Sequence, residues 1–200
     1  MNLLFCNAGL IEAEEGGSLD DMVRAIPAIR EEFETNAMGP LRTVHALNSN
    51  LKPGASKVIV IGSSTGSVAK AQSGSFMPGT LGYSCTKAAE HMVAVHMSKA
   101  LAERNIPLGI VHPGTVLTDN ALEYHHQDEQ ARAGRRATGG GEPCAWDGAL
   151  WGALRLQLVK EKATDTDESV DAIIDIAEHK VNIENTGTFW DARGKEPRPF

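Results

Sequence analysis

Val58-Ile59-Val60-Ile61 narrows the choice of fold more than any other stretch of the chain. Four β-branched residues in a row, bounded by Lys57 and Gly62, form a strand apolar on both faces. Such a strand is buried only inside a sheet that carries helices on both sides. The neighbouring segments agree. Asn2 to Cys6 reads as a short apolar strand, and Gly9 to Asp20 as an acidic loop. From Ala28 to Leu51 the residues Ile29, Phe33, Ala37, Leu41, Val44 and Leu47 share one helical face, interrupted at Gly39-Pro40. A Ser/Gly-rich loop spans Ser63 to Thr80, a long helix Gly82 to Asn105, and a third strand Pro107 to Val111.

The pattern loosens over residues 119–163, which hold His125-His126, Arg135-Arg136 and Gly139-Gly140-Gly141, with Trp146 to Leu158 as a helix candidate. Order returns at Thr166-Asp167-Glu168, an acidic first turn followed by Val170, Ile173, Ile174 and Ala177 at helical spacing. Thr188-Phe189-Trp190 is the last strand, and Asp191 to Phe200 a proline-containing tail. Strand and helix alternate at the spacing of parallel βαβ units, so the expectation is an α/β fold with one parallel sheet and a single domain over 1–200. Within it, 119–163 is expected to be a variable substrate loop or lid.

Charge and cysteine content exclude several functions. Nineteen Lys and Arg against 26 Asp and Glu leave a net charge of −7, the wrong sign for holding phosphate backbones, so no nucleic-acid partner is expected. No apolar run approaches bilayer length, and no membrane role is expected. Cys6, Cys85 and Cys144 are odd in number and lack metal-ligand spacing, which fits a reducing cytoplasm without disulfides. His91 and His96 are five apart on a helix and His125-His126 are adjacent, so no metal site is expected either.

The chemistry concentrates around Ser63 and Tyr83-Ser84-Cys85-Thr86-Lys87. Residues four apart share a helix face, so Tyr83 and Lys87 point into the same space. A lysine ammonium there favours phenolate over phenol and fits the tyrosine for general acid/base work. Ser63 follows the buried strand at its carboxyl end, where open α/β sheets place ligands, and its hydroxyl can hold a substrate oxygen.

Together these residues resemble the short-chain dehydrogenase/reductases. The matching pieces, in order, are Asn7-Ala8-Gly9 after the first strand, Asn36 in the next helix, Ser63, Tyr83-x-x-x-Lys87, and Pro113-Gly114-Thr115-Val116-Leu117-Thr118. Gly187-Thr188-Phe189-Trp190-Asp191 with Gly194-Lys195-Glu196 looks like the end of fungal-type carbonyl reductases. The resemblance implies a Rossmann-like sheet with flanking helices and an NAD(P)-dependent oxidoreductase interconverting a carbonyl and an alcohol. NADP(H) is the favoured cofactor, NAD(H) the alternative. Tyr83 would be the general acid/base, and Lys87 would support it and bind the nicotinamide ribose. Ser63 would orient the substrate oxygen, and Asn36 would hold a water linking Lys87 to a proton relay. Asn7, Ala8 and Gly9 would line the cofactor cleft, and Pro113, Gly114, Val116 and Thr118 would border the nicotinamide. A small-molecule substrate and a homodimer or homotetramer are implied as well. Ser64 competes for the serine role, but Ser63 comes six residues after Lys57, as the family serine follows its strand start.

The sequence departs from the family in lacking a TGxxxGxG turn, whose helix N-terminus receives the pyrophosphate. By this reading the chain starts at the fourth strand and is N-terminally truncated. Three strands and their helices, about 70 residues, are missing, and the first strand is left with an unpaired apolar edge. Two alternatives accompany the enzyme reading. One is a non-catalytic fragment unable to hold the dinucleotide. The other is a serine hydrolase using Ser64 within Gly62-Ser63-Ser64-Thr65-Gly66, a match to the G-x-S-x-G elbow.

Overall fold

The computed structural model describes residues 1–11, 18–73, 80–116 and 164–200. They fall into two compact units, Met1–Pro113 with Asp171–Phe200, and Gly114–Val170. The lid expected over 119–163, the helix expected at Trp146 to Leu158, and Thr118 lie outside the described residues.

The first unit is built on a five-stranded sheet of β1 (Leu3–Cys6), β2 (Lys57–Ile61), β3 (Leu108–His112), β4 (Phe189–Asp191) and β5 (Glu196–Arg198), in that order. β1 to β4 run parallel, with Phe5 beside Ile59, Val60 beside Ile110 and Val111 beside Trp190. Parallel neighbours need a crossover. The first is made by α2 (Ile26–Asn36) and α3 (Met38–Ala46), and the second by α5 (Leu81–Ala102). α6 (Thr166–Asp175) continues into a π-helical turn, Ile176–Lys180, before β4.

Alternation along the strands explains why both faces are covered. Val58, Val60, Leu108, Ile110 and Phe189 point to one face and pack with Val44, Ala94, Met97 and Leu101 from α3 and α5. Ile59, Val111 and Trp190 point to the other and pack with Ile173, Ile176, Ala177 and Val181. Each fully buried Val, Ile or Phe contributes about 1.5–3 kcal/mol. The second face is close enough that a Cβ at Gly109 would lie 2.5 Å from Val181 Cγ2. Lys57 Nζ closes the C-terminal end of the π-turn by donating to the carbonyls of Ala177 and Glu178, each at 2.8 Å.

Several segments differ from the sequence expectation. The first long helix breaks at Ala37, because Pro40 has no N–H for the Asn36 carbonyl four residues back and its ring crowds that oxygen. Part of the acidic loop is helical: α1 (Leu19–Arg24) starts on a capping box in which Ser18 and Asp21 satisfy each other's backbone N–H. The Ser/Gly-rich loop contains a 3₁₀ turn, Ser64–Gly66, and α4 (Val68–Gln72). The tail is not irregular throughout, since β5 turns back antiparallel on β4, pairing Asp191 with Glu196 and Trp190 with Pro197.

In the second unit, Val116 makes a parallel bridge to Thr164, and Thr164 N donates to Thr115 O at 2.8 Å. Gly114 has a φ of +88°, in the region that favours glycine. Among the described residues no helix is long and apolar enough to cross a membrane.

Candidate active site

β2 delivers the chain to the carboxyl edge of the sheet at Ile61, and two glycines let the next five residues lie flat on α5. A Cβ at Gly62 would sit 2.6 Å from His91 Nε2 and 2.8 Å from Ile110 Cγ2. One at Gly66 would sit 2.8 Å from both Ala88 N and Lys87 C. Only a residue without a side chain allows this approach, so the serines are held against the turn of α5 that carries Lys87.

Two histidines then fix the serine backbone. Ser63 N donates to His91 Nε2 at 3.2 Å, and Ser64 N donates to His112 Nδ1 at 3.4 Å. His91 comes from α5 and His112 from the end of β3. Burial is the main cause that holds both rings well below the usual histidine range, at about 4. Lys87 adds to the effect at His91; Arg198, Lys70 and Arg193 add to it at His112, against Asp191. Both rings are therefore neutral near pH 7, with the accepting nitrogen unprotonated and the proton on the other. The His91 ring also packs 4.6 Å from Phe189 and 5.7 Å from Phe200.

The two serine hydroxyls face different partners. Ser63 Oγ bonds Thr65 Oγ1 at 2.8 Å and accepts from Thr65 N at 3.3 Å, which starts the 3₁₀ turn. Ser64 Oγ accepts from Lys70 Nζ at 2.7 Å. Both serines are buried, at 7% and 6% exposure.

Tyr83 sits in the first turn of α5, half-buried, with Lys87 Nζ 5.8 Å from its ring centroid. The predicted pair therefore shares one face of the helix. Lys87 itself is buried, donating to the Ile61 carbonyl at 2.9 Å and pairing with Glu90 Oε2 at 2.8 Å. An ammonium has three N–H donors, so one remains for another group. Burial pushes the Glu90 carboxyl up to about 7 even with Lys87 opposing the shift. Cys6 is pushed up to about 11, by burial first and Glu90 second.

Asn36 is fully buried at the end of α2. Its side-chain amide makes a two-way pair with the backbone of Leu10, accepting from Leu10 N at 2.7 Å and donating to Leu10 O at 2.8 Å. Nδ2 also donates to Thr86 Oγ1 at 3.0 Å, and Thr86 in turn donates to the Tyr83 carbonyl at 2.9 Å. Asn36 thus ties the loop after β1 to the first turn of α5. Asn7, Ala8 and Gly9 are exposed on that loop, and Gly9 faces Asn36 Oδ1. Pro113 ends β3 in the same unit, whereas Gly114 and Val116 belong to the second.

Sequence reasoning missed Glu90, His91, His112 and Lys70. The Lys87–Glu90 spacing of three was a usable signal. The histidines and Lys70 find their partners on other elements, and no local pattern announces that.

Three comparisons complete the picture. A family model described as short chain dehydrogenase matches residues 1–129. The 1-hydroxy-2-glutathionyl-2-methyl-3-butene dehydrogenase of Rhodococcus sp. (strain AD45) is 34% identical over 139 residues, covering 67% of this chain and 57% of that protein. An uncharacterized oxidoreductase of Schizosaccharomyces pombe is 34% identical over 102 residues, 50% of this chain and 38% of its own length. The chain thus spans little more than half the length of the first relative and less of the second. Among solved structures, the NADPH-bound carbonyl reductase from chicken fatty liver aligns with a TM-score of 0.64 at 23% identity, over 98% of this chain and 64% of that one. A Burkholderia cenocepacia short chain dehydrogenase in complex with NADP aligns with a TM-score of 0.61 at 20% identity, over 96% and 63%. These structural likenesses establish the fold, a Rossmann-like sheet with flanking helices.

Proposed function

The chain belongs to the short chain dehydrogenase family, and on that premise we propose that it interconverts a carbonyl and an alcohol with Tyr83 as the general acid/base. The observation that carries this reading is the shared helix face of Tyr83 and Lys87 beside the Ser63 loop. A bound nicotinamide dinucleotide supplies or accepts the hydride. The residues present fit the nicotinamide end of such a cofactor, because Lys87 keeps one N–H after serving Ile61 and Glu90, and Asn7–Gly9 are exposed at the end of β1. Asn7, Ala8, Gly9, Tyr83, Lys87 and Pro113 would hold it, and Gly114, Val116 and Thr118 are assigned to it by the family resemblance alone. NADP(H) is proposed over NAD(H), in line with the two NADP(H)-bound neighbours.

In the reducing direction Tyr83 Oη gives a proton to the substrate oxygen, and in the oxidising direction it takes one back. Ser63 orients the substrate oxygen once its hydroxyl turns from Thr65. Asn36 serves the relay through its backbone carbonyl, which Pro40 cannot fill; its side chain is already committed to Leu10 and Thr86. A homodimer or homotetramer through the helices that carry Asn36 and Tyr83, α2 with its continuation α3 and α5, is part of the proposal, consistent with Leu41 and Met92 being 43% and 62% exposed. The hydrolase reading gains nothing from the site. His112 takes the Ser64 N–H rather than its hydroxyl, and the N–H groups of Thr65 and Gly66 are spent on Ser63.

Fluorescence titration of the 200-residue chain with NADPH and NADH tests the proposal. Saturable binding in the micromolar range supports it. No binding at millimolar cofactor would remove independent catalysis and favour the non-catalytic alternative.

A further inference from the structure

Behind the serine loop the hairpin of β4 and β5 gathers positive charge. Arg198 Nη1 lies 3.0 Å from Asp191 Oδ2, and Arg193 Nε lies 3.6 Å from Asp191 Oδ1. Asp191 stands beside His112 in the parallel register of β3 and β4, and His112 holds Ser64 N. Lys70 Nζ donates to Ser64 Oγ at 2.7 Å. Two arginines therefore flank one buried carboxylate, and Lys70 lies close enough to feel the charges of all three, in a chain whose net charge is −7. The next carboxylate along the hairpin, Glu196, is turned against Gly194.

This surplus is felt by the groups themselves. Lys70 is held below the usual lysine range, by burial first and then by Arg198 and Arg193, with Asp191 opposing. The side chains remain reachable, Arg193 at 45% and Arg198 at 35% exposure. Ser64 is suited to the same task. Its oxygen accepts from Lys70, so its own O–H is left to donate. Forked guanidinium donors and an ammonium beside a hydroxyl donor match an oxyanion, which would relieve the repulsion among them.

We propose that Lys70, Arg193, Arg198 and the Ser64 hydroxyl bind an oxyanion, carboxylate or phosphate, carried by the small molecule that the Ser63 loop receives. The substrate class is then an anionic carbonyl or alcohol compound, and Ser63 and Ser64 divide the work: Ser63 holds the reacting oxygen and Ser64 the anionic group. This assignment of substrate class rests on the oxidoreductase reading; the binding of the anion does not.

The test is a titration of the isotopically labelled chain with inorganic phosphate and, separately, with acetate, at ionic strength held constant with chloride and followed by amide chemical shifts. Saturable shifts centred on Ser64, Lys70 and Arg193 are expected, with affinity lowered about tenfold or more in K70Q and largely kept in K70R. R193Q, at an exposed position, gives a second variant that leaves the core untouched and should weaken binding as well. Stronger binding of phosphate points to a phosphorylated substrate, and stronger binding of acetate to a carboxylate; either supports the site. No saturable shift, or equal affinity in wild type, K70Q and R193Q, overturns it. Neither cofactor nor turnover enters this measurement, so it stands or falls separately from the role of Tyr83.

Discussion

His91 and His112 make the acid stability of the fold a sharp test of the site. Each ring has its pKa lowered from 6.5 to about 4 in the folded chain. The unfolded chain therefore takes up protons first, and the stability these rings contribute is present above pH 6.5 and lost as pH falls toward 4. Between pH 7 and 4.5 the loss is about 2.5 kcal/mol for each ring, or about 5 kcal/mol for the two. Glu90 acts in the opposite sense. Its pKa is raised to about 7 from 4.5, so the folded chain binds its proton first and gains about 2.5 kcal/mol over the same interval. The histidines win, and these three groups leave a net loss of about 2.5 kcal/mol. Urea unfolding at pH 7 and pH 4.5 reads these terms as differences between variants. Glu90→Gln should deepen the drop by about 2.5 kcal/mol, whereas His91→Gln should make it shallower by the same amount. Equal pH dependence in wild type and both variants would refute the argument, as would histidine rings that titrate near 6.5 by NMR.

Gly66→Ala places a methyl 2.8 Å from backbone atoms of Lys87 and Ala88, which cannot turn aside; a cost of about 1–3 kcal/mol in urea unfolding is expected. Asn36→Ala leaves both backbone groups of Leu10 without their side-chain partner and should cost about 1–3 kcal/mol, with faster hydrogen exchange at the Leu10 amide as its local signature. Gly109→Ala forces Val181 away from β3 and should destabilise the fold by a similar amount, while leaving the Ser63 and Ser64 amide shifts in place.

The sheet was legible because its signal is local. Val58 to Ile61 alternate between two faces that are both apolar, and the structure supplies a separate cluster for each. Tyr83 and Lys87 were legible for the same reason, since one helix turn determines their relation. β5 was not, because Pro197 argues against a strand unless it lies at an edge, and only the finished hairpin shows that it does. The break at Ala37 followed from Pro40, but its position depends on which carbonyl loses its donor, not on where the proline stands. Least legible were His91, His112 and Lys70. Read along the chain they are polar residues of ordinary spacing; their roles arise from burial against β2, β3 and the serine loop, which brings together residues 48 positions apart in the case of Ser64 and His112.

The central claim, that Tyr83 moves the proton at the reacting oxygen, is tested most directly by Tyr83→Phe. NADPH oxidation would be followed at saturating cofactor with a panel of neutral and anionic carbonyl compounds, alongside circular dichroism and cofactor titration of the same samples. The account predicts turnover by the wild-type chain and a loss of at least about 100-fold in the variant, with fold and cofactor affinity kept. Turnover by Tyr83→Phe equal to wild type would contradict it.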